Sequence, residues 1–116
     1  MLTAQRLLLK RMFCSGQTLQ QAIKDPSLLI VDVTSEIEFE DTKRCGSLPK
    51  GAVNIPISDL ASRAKELGNA KERPVIFYCK HGVRAGLAAS YAQRNGFRNS
   101  FAMTDAFAVK SLLETK

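Results

Sequence analysis

The chain has 116 residues, 45% hydrophobic and 24% charged, which is the length of a single domain and the composition of a folded globular protein rather than a disordered or fibrous one. At this size about two thirds of the unfolded surface can be buried, enough for a self-sufficient core. The net charge is +6 without any Arg/Lys-rich block, which argues against nucleic acid as a partner, and the longest uncharged run, residues 12–23, is too short for a membrane-spanning helix of about 20 apolar residues.

Residues 1–11 form a basic N-terminal segment, in which Arg6, Lys10 and Arg11 stand among Leu2, Leu7, Leu8 and Leu9 with no acid. That composition fits a mitochondrial transit peptide and fits a plain basic arm as well. The domain proper is assigned to residues 12–116. Cys14 is expected to pack in an early strand, and residues 15–18 read as a break. Thr18 with Gln21 matches a capping box for a short helix that Pro26 stops. Residues 28–33 (LLIVDV) are a continuous branched-apolar run, the pattern of a strand covered on both faces. Residues 34–45 are polar and acidic, expected as a short helix and a loop, with the acids from Glu36 to Asp41 as a solvated face.

Residues 51–56 read as a strand between breakers. A helix is expected over 58–67, with Leu60, Ala64 and Leu67 at helical spacing and Gly68 at its end. Residues 74–78 (PVIFY) are a second buried strand, 84–94 an Ala-rich helix stopped by Asn95-Gly96, 99–103 a strand and 105–114 a helix. Strands alternating with helices imply an α/β fold. The expected architecture is a central, mostly parallel, five-stranded sheet with helices on both faces.

In such a sheet, ligands sit beyond the carboxyl ends of the strands. Here that edge carries Cys79-Lys80-His81-Gly82-Val83-Arg84 between a strand and a helix. A thiol at a helix N-terminus meets free N–H groups and a favourable dipole; Lys80, Arg84 and a protonated His81 would add positive charge. All of these favour the nucleophilic thiolate, and Gly82 lets successive N–H groups turn inward as an anion nest. Cys79 is therefore the candidate nucleophile rather than a small buried hydrophobe.

At this loop the sequence resembles the rhodanese (sulfurtransferase) family, over nearly all of residues 12–116. Val31-Asp32-Val33-Thr34 resembles the family's "D-V-R" strand end, residues 46–56 (GSLPKGAVNIP) its "G-H-I-P-G-A-x-N-I-P" segment, residues 75–85 its strand and active loop, and Asn95-Gly96-Phe97 its "x-G-Y/F" turn. The resemblance implies a single rhodanese-like domain in which Cys79 takes a sulfane sulfur as a persulfide. Thiosulfate or another persulfide would be the donor, and cyanide, a thiol or a partner protein the acceptor, in the ping-pong cycle of covalent catalysis. Lys80, His81, Gly82, Val83 and Arg84 would bind the substrate, Arg84 holding an oxyanion in bidentate fashion. No cofactor and no metal are expected.

The six-residue Cys79-to-Arg84 loop fits one sulfur atom, whereas phosphatases of this fold have a seven-residue loop. A persulfide carrier or interaction module with little small-molecule turnover is the alternative from another class, and a Cys-dependent phosphatase relative is a lesser one. The sequence departs from the family pattern at Thr34 (an Arg there), Ser47 (a His), the inserted Lys50, Ala85 and Thr104-Asp105-Ala106, all of which bear on substrate choice. His81 reads either as a cation at the persulfide or as a solvent-facing residue. Asp32 is a supporting residue, bonding nearby backbone or orienting the site. Three cysteines, Cys14, Cys45 and Cys79, with no C-x-x-C pair fit neither a disulfide scaffold nor a zinc site and point to a reducing compartment, the cytoplasm or the mitochondrial matrix. Nothing in the sequence places Cys45 near Cys79, so Cys45 reads as a bystander rather than a resolving thiol.

Overall fold

The two apolar runs become the central strands of the sheet. β1 (Leu29–Asp32) and β3 (Val75–Tyr78) pair in parallel, with Leu29 opposite Val75 and Asp32 opposite Tyr78. β2 (Val53–Asn54) flanks β1 and β4 (Ser100–Met103) flanks β3, which gives the order β2-β1-β3-β4, parallel throughout. The computed structural model describes residues 16–115; the basic segment 1–11 and the strand expected around Cys14 lie outside them.

The sheet therefore has four strands among the described residues, not five. Among the described residues, Gln17 just before the first helix is tied by a side chain, its N–H donating to Asn99 Oδ1 at 2.7 Å. α1 (Leu19–Ala22) carries the expected Thr18–Gln21 capping box.

Each sheet face buries its own layer, because successive strand side chains point to opposite sides. On one face Val31, Val33, Phe77 and Cys79 pack against α3 (Val83–Arg94), whose Ala85, Ala88, Ala89 and Ala92 present a stripe of small side chains. On the other, Ile30, Ile76 and Tyr78 pack against Ile23 and against Ala106 and Val109 of α4 (Ala106–Leu113). α2 (Glu36–Arg44) buries no residue of its own. Glu36, Glu40 and Asp41 are exposed, as the solvated acidic face read from its sequence requires, whereas Glu38 is half-buried and pairs with Arg84.

The helix expected over 58–67 forms instead as two 3₁₀ turns, Ile57–Asp59 and Ala64–Leu67. Leu60 and Leu67 are buried as the spacing required, but the stretch between is drawn off the helical path. Ser62 Oγ donates to the Asp59 carbonyl, and Arg63 donates to the Asn54 carbonyl and to Glu66. Gly68 closes the second turn at φ +87°, a left-handed conformation suited to glycine.

Candidate active site

β3 delivers its chain to the carboxyl edge at Cys79, and the following turn folds the backbone around the sulfur. Cys79 Sγ accepts from the Gly82 N–H at 3.0 Å and from the Ala85 N–H at 3.3 Å. Gly82 caps α3 at φ +92°. A Cβ there would make ordinary contacts with Thr104, 3.6 Å away, so the demand for glycine comes from the backbone angle rather than from space. Cys79 is 3% exposed. Burial pushes its thiol up, but the N–H groups of Ala85, His81, Gly82 and Arg84 outweigh burial and hold it below the ordinary value. The inward amide nest expected from the sequence is present, and it favours the thiolate.

The charges expected to assist divide. Lys80 and His81 are exposed. Arg84 turns away to a carboxylate: its Nη1 and Nη2 donate to Glu38 Oε1 and Oε2 at 2.8 and 3.2 Å. The bidentate geometry expected for a bound oxyanion is thus taken up by α2. Glu38 also accepts from the Ser35 N–H while Ser35 Oγ accepts from the Glu38 N–H, a capping box at the start of α2. Led by the Arg84 hydrogen bonds, these contacts hold the Glu38 carboxyl down to about 2. Arg84 correspondingly stays charged. Val83 is 72% exposed, and its side chain opens to solvent beside the loop.

A cavity of about 240 Å³ opens at this edge, and Cys79 and Lys80 form one side of it. Asp32, Thr34 and Tyr78 line it from the ends of β1 and β3, Asp41, Thr42, Cys45 and Ser47 from α2 and the segment after it, and Asp105, Ala106 and Phe107 from the start of α4. Asp32 is fully buried. Its Oδ1 accepts from the Thr34 N–H at 2.8 Å and from the Thr34 hydroxyl, the backbone-bonding role read from its strand-end position. Cys45, expected as a bystander, shares the cavity wall with Cys79. The sequence signals were uneven. Ser35-x-x-Glu38 is a readable capping box that the sequence reading passed over, whereas nothing in the local pattern marks Tyr78, Cys45 or Phe107 for the site. No cluster able to hold a metal ion occurs among the described residues, and no helix among them is long and apolar enough to cross a membrane.

Comparison with known proteins agrees with this fold. The family model of the rhodanese-like domain matches residues 15–108. The uncharacterized protein YqhL of Bacillus subtilis is 35% identical over 78 residues, 67% of this chain and 56% of that protein. The tRNA uridine(34) hydroxylase of Yersinia enterocolitica is 29% identical over 93 residues, 77% of this chain and 25% of the hydroxylase. The chain thus spans about half the length of the first relative and a quarter of the second. Among solved structures, the human single-domain sulfurtransferase TSTD1 superposes with a TM-score of 0.56 at 23% identity, over 84% of this chain and 91% of that one. The Saccharomyces cerevisiae single-domain sulfurtransferase RDL2 superposes with a TM-score of 0.55 at 21% identity, over 84% and 89%. These two share the fold. The chain belongs to the rhodanese-like family.

Proposed function

We propose that this rhodanese-like chain is a sulfurtransferase that carries a sulfane sulfur on Cys79. The observation that supports this most directly is the sulfur of Cys79 held by the amides of Gly82 and Ala85 at the mouth of α3, on the wall of a cavity. In the first half-reaction the Cys79 thiolate attacks the outer sulfur of a donor, thiosulfate or another persulfide. The donor S–S bond breaks, sulfite or a thiolate leaves with the bonding pair, and a Cys79 persulfide remains. In the second, cyanide, a thiol or a partner protein attacks the outer sulfur and restores the thiolate. The same amides that hold the thiolate can hold the persulfide anion, so both resting states of the cycle are stabilised without reorganising the loop. Lys80 is the cation on the cavity wall; the charge of Arg84 is offset by Glu38.

Intact-mass measurement of the reduced protein before and after donor addition tests the reading. A gain of one sulfur, lost on cyanide treatment and absent in Cys79→Ser, is expected. Persistent turnover in Cys79→Ser would refute the assignment. A second reading, a carrier that hands its sulfur to another protein, is favoured by large apolar side chains exposed on the helices at this edge, Val83 and Phe107 at 72% and Ile37 at 76%. The two readings part on steady-state turnover with a small thiol acceptor, which a carrier would lack.

A further inference from the structure

The cycle through Cys79 leaves one nucleophile of the cavity unused. Cys45 and Cys79 line the same space of about 240 Å³, and both are free thiols. Their surroundings differ. Cys79 is 3% exposed, with its Sγ held by the Gly82 and Ala85 amides, whereas Cys45 is exposed at the end of α2. Three sets of contacts fix Cys45 on that wall. Its N–H closes the last turn of α2 by donating to the Asp41 and Lys43 carbonyls. The carbonyl of the next residue, Gly46, accepts from Lys110 Nζ of α4 at 2.9 Å. α2 itself is fastened to the Cys79 loop by the Arg84–Glu38 ion pair. A second thiol is thus positioned on the cavity by the fold, and a reacting group already held in place reacts as an intramolecular one.

The two thiols suit different ends of one transfer. Burial pushes the Cys79 thiol up, but the amides of Ala85, His81, Gly82 and Arg84 outweigh it and hold the thiol below its ordinary value, and a thiol so lowered is the better leaving group in sulfur exchange. Being buried, however, Cys79 is out of reach of any acceptor too bulky to enter the cavity. Cys45 has the opposite virtue, since it borders both the cavity and the solvent.

We infer that Cys45 is a relay thiol, which takes the outer sulfur from a Cys79 persulfide and presents it at the surface to an acceptor too large for the cavity, a cysteine of another protein. The inference rests on the sulfurtransferase reading of Cys79 and adds a catalytic residue to it. The Cys45 thiol gives its proton to the outer sulfur of the Cys79 persulfide anion, and the Cys45 thiolate then attacks that sulfur. The new bond forms from Cys45 Sγ, the old S–S bond breaks, and its electron pair returns to Cys79 Sγ as the thiolate. The sulfane sulfur and the proton end on Cys45, and no oxidant or reductant takes part. Because the S–S bond sets the outer sulfur about 2 Å from Cys79 Sγ, the relay demands a looser approach than a Cys45–Cys79 disulfide, whose Cα atoms must lie within about 7 Å.

The test uses the full-length chain with Cys14→Ser, so that Cys45 and Cys79 are its two thiols. The reduced protein is loaded with thiosulfate and, separately, with cysteine persulfide, quenched with an alkylating reagent and digested, and the sulfane sulfur is located by peptide mass. Sulfur is expected on both Cys79 and Cys45, with Cys45 loading about tenfold slower or more once Cys79→Ser removes the relay donor. A second measurement follows delivery from the loaded protein to cyanide, which enters the cavity, and to a thiol-terminated polyethylene glycol, which is too bulky to enter. Cys45→Ser is expected to lower delivery to the polymer about tenfold more than delivery to cyanide, because the sulfur left on Cys79 is buried. Absence of sulfur on Cys45, equally fast Cys45 loading in Cys79→Ser, or equal losses for the two acceptors would overturn the relay and leave the sulfurtransferase reading standing. A Cys45–Cys79 disulfide formed with release of sulfide would also overturn it, as attack on the inner sulfur instead. No sulfur on Cys79 from either donor would overturn both.

Discussion

The two sides of the cavity are made in different ways. The Cys79 side is a continuous stretch of chain from β3 into α3, and its working groups are backbone amides within six residues of the sulfur. The opposite side is assembled from α2, the segment after it and the start of α4, and its working groups are side chains far apart in sequence. Backbone amides carry no choice of residue beyond the angles they require, so under the proposed function the first side would set the chemistry. Side chains on the second side carry charge and shape, and under the proposed function they would set which molecule enters. The Arg84–Glu38 pair is the hinge between the two, since it takes a cation from the loop and spends it on α2.

The contrast can be broken most severely on the loop side. Gly82→Ala places a β-carbon on a left-handed residue at a cost of about 1–2 kcal/mol and pulls the Gly82 amide off the sulfur. Alkylation of Cys79 at neutral pH is expected to slow by about tenfold, a cost of that order converted to a rate. In the wild-type protein the pH profile of alkylation should have its midpoint below 9.0, and in Gly82→Ala that midpoint should move upward. A profile unmoved by the substitution would mean that the amide cradle does not govern the thiolate.

On the α2 side the effects are smaller and fall on stability. Ser35→Ala removes the N-cap of α2 and is expected to lower unfolding free energy by about 1 kcal/mol, read from denaturant midpoints, with the Cys79 alkylation rate nearly unchanged. Glu38→Gln should cost about 1 kcal/mol or less, because the ion pair is partly exposed and screened.

The sign with pH follows from the direction of the shift. The folded Glu38 carboxyl lies at about 2 against 4.5 unperturbed, so its contribution is complete above pH 4.5 and is lost as the pH falls toward 2. The melting-temperature gap between wild type and Glu38→Gln should accordingly close over that interval; a gap that stayed constant would show that the carboxylate charge plays no part.

Much of this was legible before any coordinates. The runs 28–33 and 74–78 are apolar throughout because both faces of those strands are covered, and they became the buried centre of the sheet. Gly82, Thr18 with Gln21, and Asn95-Gly96 are local signals, and each marked the turn or cap that formed. The helix expected over 58–67 failed for a reason outside its own pattern. Its Leu spacing was satisfied, but Arg63 was recruited to the Asn54 carbonyl nine residues away, a contact that exists only once β2 is in place.

By itself, then, the sequence determined the strand–helix alternation, the family resemblance and the loop thiol with its amide cradle, the last because its groups lie within six residues of one another. Only the tertiary structure decided that Arg84 meets Glu38, 46 residues away, that Cys45 shares a wall with Cys79, and that Asp32 lies opposite Tyr78 with both on the cavity. Backbone hydrogen bonding is encoded locally, but the sign of charge inside a cavity is the sum of side chains that packing brings together.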